Sequence, residues 1–118
     1  MYGHDQTRAF CYISDAVEAT VSAMESKNTN GEIYHIGTEE EITIETLIKT
    51  SGKYFGFQGS YKSAPTYPGS TQRRCPDITK ASKHFSYKPK VSWQEGLETT
   101  LEWYDEYFKK RGKANGFE

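Results

Sequence analysis

Four arginines stand against eleven lysines in this 118-residue chain. Three of the four, Arg8, Arg73 and Arg74, fall in segments that read as strand or loop, while the lysines populate solvated helices. A guanidinium presents a planar fork of donors that matches phosphate oxygens, so two arginine-bearing segments brought together can clamp a diphosphate. Other polar groups are less well set for chemistry. His35, between Tyr34 and Ile36, reads as a hydrogen-bonded structural group in a strand. His4 and Asp5 are neighbours in a polar loop, a poor place to hold acid–base geometry. His84 falls near a helix end, where it complements the dipole. The run Glu39, Glu40, Glu41 reads as solvated rather than metal-binding. Trp93, Trp103, Tyr104, Tyr107 and Phe108 read as core and amphipathic surface, not as a base-stacking platform.

The elements that must position these residues follow from pattern. Arg8–Ile13 alternates as a short strand, with Arg8, Phe10 and Tyr12 on one face, which suits a ligand wall or a partly exposed surface. Asp15, with Glu18 three residues on, is the expected N-cap of a helix over 15–25. Ile33–Ile36 predicts a second strand ending at Gly37. Thr43 caps a helix whose apolar face is Ile44, Leu47, Ile48 and Phe55. Residues 60–76, with Pro65, Pro68, Gly69 and Pro76, read as a long loop with a short strand near Tyr61. Asp77 begins a helix to Phe85. Ser92 and Glu95 form a capping box for a last helix carrying Leu97, Leu101, Tyr104 and Phe108 on one stripe. Gly112 stops it.

The whole predicts a mixed α/β fold of about four helices with a short, incomplete sheet. One domain over 1–111 is expected, with a tail at 112–118. A formal net charge of −1 gives no basic field for nucleic acid. The apolar runs are far shorter than a membrane span, and the first ten residues lack the apolar core of a signal peptide. Cys11 and Cys75, far apart and without metal-ligand spacing, read as reduced thiols of a cytoplasmic protein. The chain opens in a polar loop, which reads as an internal segment rather than a natural beginning. No glycine-rich strand-to-helix turn offers a seat for a dinucleotide. No tyrosine precedes a lysine by four residues, the spacing that would put both on one helix face.

Five segments, in order, carry a resemblance that covers nearly the whole chain. They are Thr7–Asp15 (TRAFCYISD), Gly31–Gly37 (GEIYHIG), Glu41–Ile44 (EITI), Arg73–Ala81 (RRCPDITKA) and Tyr87–Ser92 (YKPKVS) through Gly96 and Leu97. Together they resemble the C-terminal part of the extended short-chain dehydrogenase/reductase family, the NAD-dependent epimerases, dehydratases and decarboxylases of nucleotide sugars. The last four segments are most similar to UDP-glucuronate decarboxylases and sugar 4,6-dehydratases.

The resemblance implies a two-part enzyme of lyase or isomerase type. An N-terminal Rossmann domain, missing from this chain, would hold NAD and the catalytic tyrosine and lysine. The C-terminal part would grip the nucleotide diphosphate sugar. By resemblance Arg8 is one diphosphate contact and Arg74 or Arg73 the second, with Arg74 favoured. Asp77 matches an acidic position beside that contact, or caps the following helix. His35 stands where many relatives carry asparagine. This chain would then hold no cofactor and no catalytic residue, and would be inactive without its Rossmann partner. Two rivals are a stand-alone nucleotide-binding module and a non-catalytic interaction domain. Open strand edges also make a homodimer a possible assembly.

Overall fold

The computed structural model describes residues 1–111. The expected tail at 112–118 and the stop at Gly112 lie outside the described residues. Chain order is β1 (Thr7–Ala9), α1 (Ile13–Glu25), β2 (Glu41–Thr43), α2 (Ile44–Tyr54), β3 (Arg73–Arg74), α3 (Thr79–Phe85) and α4 (Trp93–Lys110). Four helices and a small mixed sheet of order β2-β1-β3 bear out the α/β expectation. β1 runs antiparallel to β2, with Thr7 opposite Thr43, Arg8 opposite Ile42 and Ala9 opposite Glu41. It runs parallel to β3, with Thr7 beside Arg73 and Arg8 beside Arg74.

The strands differ from expectation because a strand needs a neighbour as well as a pattern. β1 stops at Ala9, and the chain turns at Tyr12, still extended, directly into α1. Ile33–Ile36 keeps its alternation, with Tyr34 and Ile36 half-buried against the core and Ile33 and His35 exposed, yet it forms no ladder. No strand forms at Tyr61; an isolated bridge joins Tyr2 to Ala64 instead. β3, inside the stretch read as loop, forms because β1 lies alongside to pair with it.

Helix starts follow their caps in two cases. Thr43 Oγ1 accepts from the Thr46 amide at 3.1 Å and opens α2. Ser92 Oγ accepts from the Glu95 amide at 3.3 Å and opens α4. At α1 the expected cap is corrected. Tyr12 is the N-cap position, and Asp15 sits inside the first turn. The Asp15 side chain, 3% exposed, instead accepts from the Lys90 and Val91 amides, both at 3.0 Å, and ties α1 to the link before α4. Asp77 Oδ1 accepts from the Thr79 amide at 2.8 Å at the start of α3. That helix ends at Ser86, which adopts the left-handed conformation (φ 58°).

The buried core is small: Ala19 of α1, Ile78, Ala81 of α3, and Tyr87, with Tyr34, Ile36 and Phe85 packed against it. The Tyr87 hydroxyl donates to the Gly37 carbonyl at 2.7 Å, and burial pushes its phenol pKa up. α4 approaches the 10–12 link closely at Gly96, where a Cβ would stand 3.0 Å from the Tyr12 ring. The molecule is a slab of 52 × 38 × 22 Å with a radius of gyration of 17.6 Å. A compact chain of this length has about 13–14 Å.

Candidate functional site

The register of the parallel ladder decides how the arginines are arranged. Residues paired across a ladder project to the same side, and alternate residues to opposite sides. Arg8 and Arg74 are partners, so both guanidinium groups leave the sheet on one face. Arg73 belongs with Thr7 and Ala9 on the other face, where its Nε lies 2.8 Å from Glu41 Oε2. Both faces border an open cleft of about 710 Å³, walled by β1, β3, Phe10, Cys75, Pro76 and the Tyr34–Ile36 segment.

Arg8 is held in place before any ligand arrives. Its Nη2 donates to Gln6 Oε1 at 3.0 Å, and its Nη1 donates to the Thr7 carbonyl at 2.6 Å and the Gln72 carbonyl at 3.4 Å. Gln6, 5% exposed, is itself fixed, with its Nε2 donating to Ser70 Oγ at 2.8 Å and to Thr66 Oγ1 at 3.3 Å. Among the described residues no carboxylate pairs with Arg8 or Arg74, whereas Arg73 has Glu41. Like charges directly opposite each other on a sheet are unfavourable by several tenths of a kcal/mol or more. An anion bound between the two guanidinium groups removes that penalty and gains charge-assisted hydrogen bonds.

The other sequence candidates fall elsewhere. Asp77 is exposed and occupied in capping α3; hydrogen bonds from the Thr79 side chain and amide hold its carboxyl below the usual value. Tyr12 lies outside the arginine cleft, in an apolar hollow of about 250 Å³ with Leu47, Trp93, Gly96 and Leu97. His35 lines the cleft but is exposed and outside any strand. His84 Nδ1 lies 2.7 Å from the Tyr34 hydroxyl. The acidic run is not simply solvated: Glu40 accepts from the Trp93 amide at 3.1 Å and Glu41 pairs with Arg73. Cys11 and Cys75 are free thiols. Sequence reasoning missed Gln6 and Glu41 as supports of the arginines. A neutral amide in a loop and one acid in an acidic run carry no signal of the partners that folding brings to them.

Neither strand-to-helix junction of the sheet, Phe10–Tyr12 or Thr43–Ile44, carries a glycine. β1 enters α1 through Phe10, Cys11 and Tyr12, and the first turn of α1 carries Asp15. β2 runs straight into α2, whose first turn carries Glu45. An acidic first turn opposes a pyrophosphate at a helix N-terminus. Among the described residues no group of three or more His, Cys, Asp or Glu side chains is placed to hold a metal ion, and no helix is long and apolar enough to cross a membrane.

No family model matches the chain. It is 38% identical over 107 residues to a UDP-N-acetyl-alpha-D-glucosaminuronate decarboxylase of Bacillus cytotoxicus, covering 86% of this chain and 33% of the relative. It is 32% identical over 109 residues to the human dTDP-D-glucose 4,6-dehydratase, covering 87% and 31%. The crystal structure of a UDP-glucuronic acid 4-epimerase from Bacillus cereus, in complex with UDP-glucuronic acid and NAD, superposes with a TM-score of 0.79 at 34% identity, covering 88% of this chain and 33% of that one. The chain therefore spans about a third of the length of the relatives it matches.

Proposed function

The chain belongs, over the C-terminal third that it matches, to the extended short-chain dehydrogenase/reductase family, and on that premise we propose that it is the part of a nucleotide-sugar decarboxylase, 4,6-dehydratase or epimerase that grips the substrate's diphosphate. The observation that carries this reading is the cross-strand pairing of Arg8 with Arg74, two guanidinium groups on one sheet face with no described carboxylate between them. Arg8 contributes a preset fork, locked by Gln6, and Arg74 closes on the diphosphate from β3. Arg73, set on the other face by its register and paired there with Glu41, keeps a third positive charge off the clamp. Tyr12 packs against Gly96 of α4, and Asp77 accepts from the first amide of α3.

In such an enzyme NAD takes up and returns the sugar's hydride, and the remaining two thirds of the protein would supply its site. The residues described here bind and orient. Holding the diphosphate rigidly, far from the reacting carbon, turns binding energy into alignment of the sugar. The domain over 1–111 serves this role with a Rossmann partner, in the cytoplasm.

The test is a titration of the chain with UDP at low salt, followed by amide shifts. Arg8→Ala and Arg74→Ala should each weaken binding about 10- to 100-fold, the worth of one or two charge-assisted hydrogen bonds at about 1.5–3 kcal/mol. Arg73→Ala should change it by less than about 3-fold. UDP affinity indifferent to both Arg8→Ala and Arg74→Ala overturns the reading.

A further inference from the structure

The chain has three histidines, and folding gives them different surroundings. His84 Nδ1 lies against the Tyr34 hydroxyl, and His4 stands in the turn before β1. His35 walls the arginine cleft, is exposed, and has no hydrogen-bond or ion-pair partner for its ring among the described residues. Tyr34 and Ile36 turn to the core, so His35, between them in extended chain, turns away from it. The charges around it come from several elements. β1 brings Arg8, and β3 with the residue after it brings Arg74 and the Cys75 thiol, while Arg73 is paired with Glu41. Asp77 follows the cleft residue Pro76. Its carboxyl is lowered chiefly by the bonds from Thr79 and further by the charges of His35 and Lys83. On the segment's own N-terminal side, Glu32 is paired with Lys80.

Arg8 and Arg74 supply two positive charges, and Asp77 takes one back. A nucleoside diphosphate sugar carries two negative charges, so with a neutral His35 the cleft is one charge short. We propose that His35 is a third contact of the diphosphate, made when its imidazole is protonated, so that the grip of this chain on a nucleoside diphosphate sugar depends on pH. This deepens the clamp reading and rests on it. An imidazolium donates from both ring nitrogens, so it can meet a phosphate oxygen while its charge also offsets Asp77. His35 sits on the wall that no ladder fixes, and it closes on an anion that the preset Arg8 has already caught. The sign of the pH dependence follows from linkage. A bound anion favours the charged ring, so binding takes up a proton, and affinity is full below the ordinary histidine range and falls as the pH rises through it.

The experiment titrates the chain with UDP-glucose at low salt, at about pH 5.5 and again at about pH 8, the two sides of the histidine range. Neither phosphate of this probe is terminal, so it lacks the second proton that a phosphate monoester loses near about pH 6, and its charge stays constant throughout. Binding should be about 5-fold tighter at the lower pH, the upper worth of one exposed ion pair. His35→Asn should bind equally at both pH values. His35→Lys, cationic throughout, should also lose the pH dependence, but at the level of the wild type at the lower pH, an outcome that a merely structural role for the ring would not produce. A pH dependence that survives in His35→Asn overturns the proposal and moves the titrating group to His84 or His4. So does wild-type affinity that is equal at both pH values, and so does a chain that binds no UDP-glucose at the lower one. His35 is exposed, so both variants should keep the wild-type amide spectrum; should His35→Asn disturb it, His35→Gln is the neutral variant. Failure of the clamp looks different: affinity follows pH and responds to His35→Asn, but ignores Arg8→Ala and Arg74→Ala.

Discussion

β1 and the Ile33–Ile36 segment both line the arginine cleft, and both are short, extended and alternating. β1 has β2 on one side and β3 on the other, so its ladder fixes which side each residue faces. Ile33–Ile36 has no ladder among the described residues and is positioned by packing of Tyr34 and Ile36, by the Tyr34 hydroxyl against His84 Nδ1 and the Asn28 carbonyl, by the Tyr87 bond to Gly37, and by Lys80, which donates to the Ile33 carbonyl at 2.9 Å. Side chains on β1 are therefore aimed before a ligand arrives, and His35 is not. Preorganisation in this molecule is a property of strand pairing rather than of residue type, which is why the arginines and not the histidine carry the functional reading.

The largest effect is expected where the unpaired wall takes its frame. Asp15→Ala removes the acceptor of two amides, Lys90 and Val91, at a carboxylate that is nearly fully buried. Two donors lose their partner, and the loss of stability by urea denaturation should be about 2–4 kcal/mol. At urea concentrations where the variant stays folded, UDP affinity should hold within about 2-fold, because β1 and β3 do not lean on this contact. A fall in UDP affinity as steep as the fall in stability would mean that the two walls are one cooperative unit.

Gln6→Ala strikes the other wall. It removes the contact that holds Arg8 and the bonds to Ser70 and Thr66, at a cost of about 1–2 kcal/mol in stability. UDP binding should weaken about 3- to 10-fold as Arg8 loses its preset position. Amide exchange at residues 33–36 should be unchanged. Slower or faster exchange there would erase the contrast between the two walls.

Much of this was legible in the sequence, for local reasons. Thr43 and Ser92 announce helices because a cap acts on amides two or three residues away. The family resemblance rests on segments that keep their order. What was not legible depended on distant partners. Asp15 looked like a cap and became the anchor of residues 75 and 76 positions downstream. Arg73 and Arg74 differ in nothing that neighbouring sequence reveals; only the register against Thr7 and Arg8 sends them to opposite faces. Ile33–Ile36 carried a strand pattern that the described residues cannot complete, and Gln6 gained its role from Ser70 and Thr66, more than fifty residues away.

Asp77 sits where the two regions meet, after β3 and before α3, whose Ala81 belongs to the core with Ile78. Bonds from Thr79, side chain first, lower its pKa below the ordinary 3.8. A depressed folded-state value means that its contribution is complete above the unfolded-state pKa and is lost as the pH falls through the folded-state one. Protection of the first-turn amides of α3 should therefore decline below about pH 4, and in Asp77→Asn that decline should vanish while neutral-pH protection is nearly kept, since the amide oxygen can still accept. The effect is small, and its origin separates the two roles open to this residue. A carboxyl titration followed by NMR should show the Asp77 midpoint rising in Thr79→Ala and unmoved in Arg74→Ala. A midpoint that rises in Arg74→Ala instead would place the carboxylate against the clamp. Asp77 would then compete with the diphosphate for Arg74, and the cap on α3 would be the lesser part of its role.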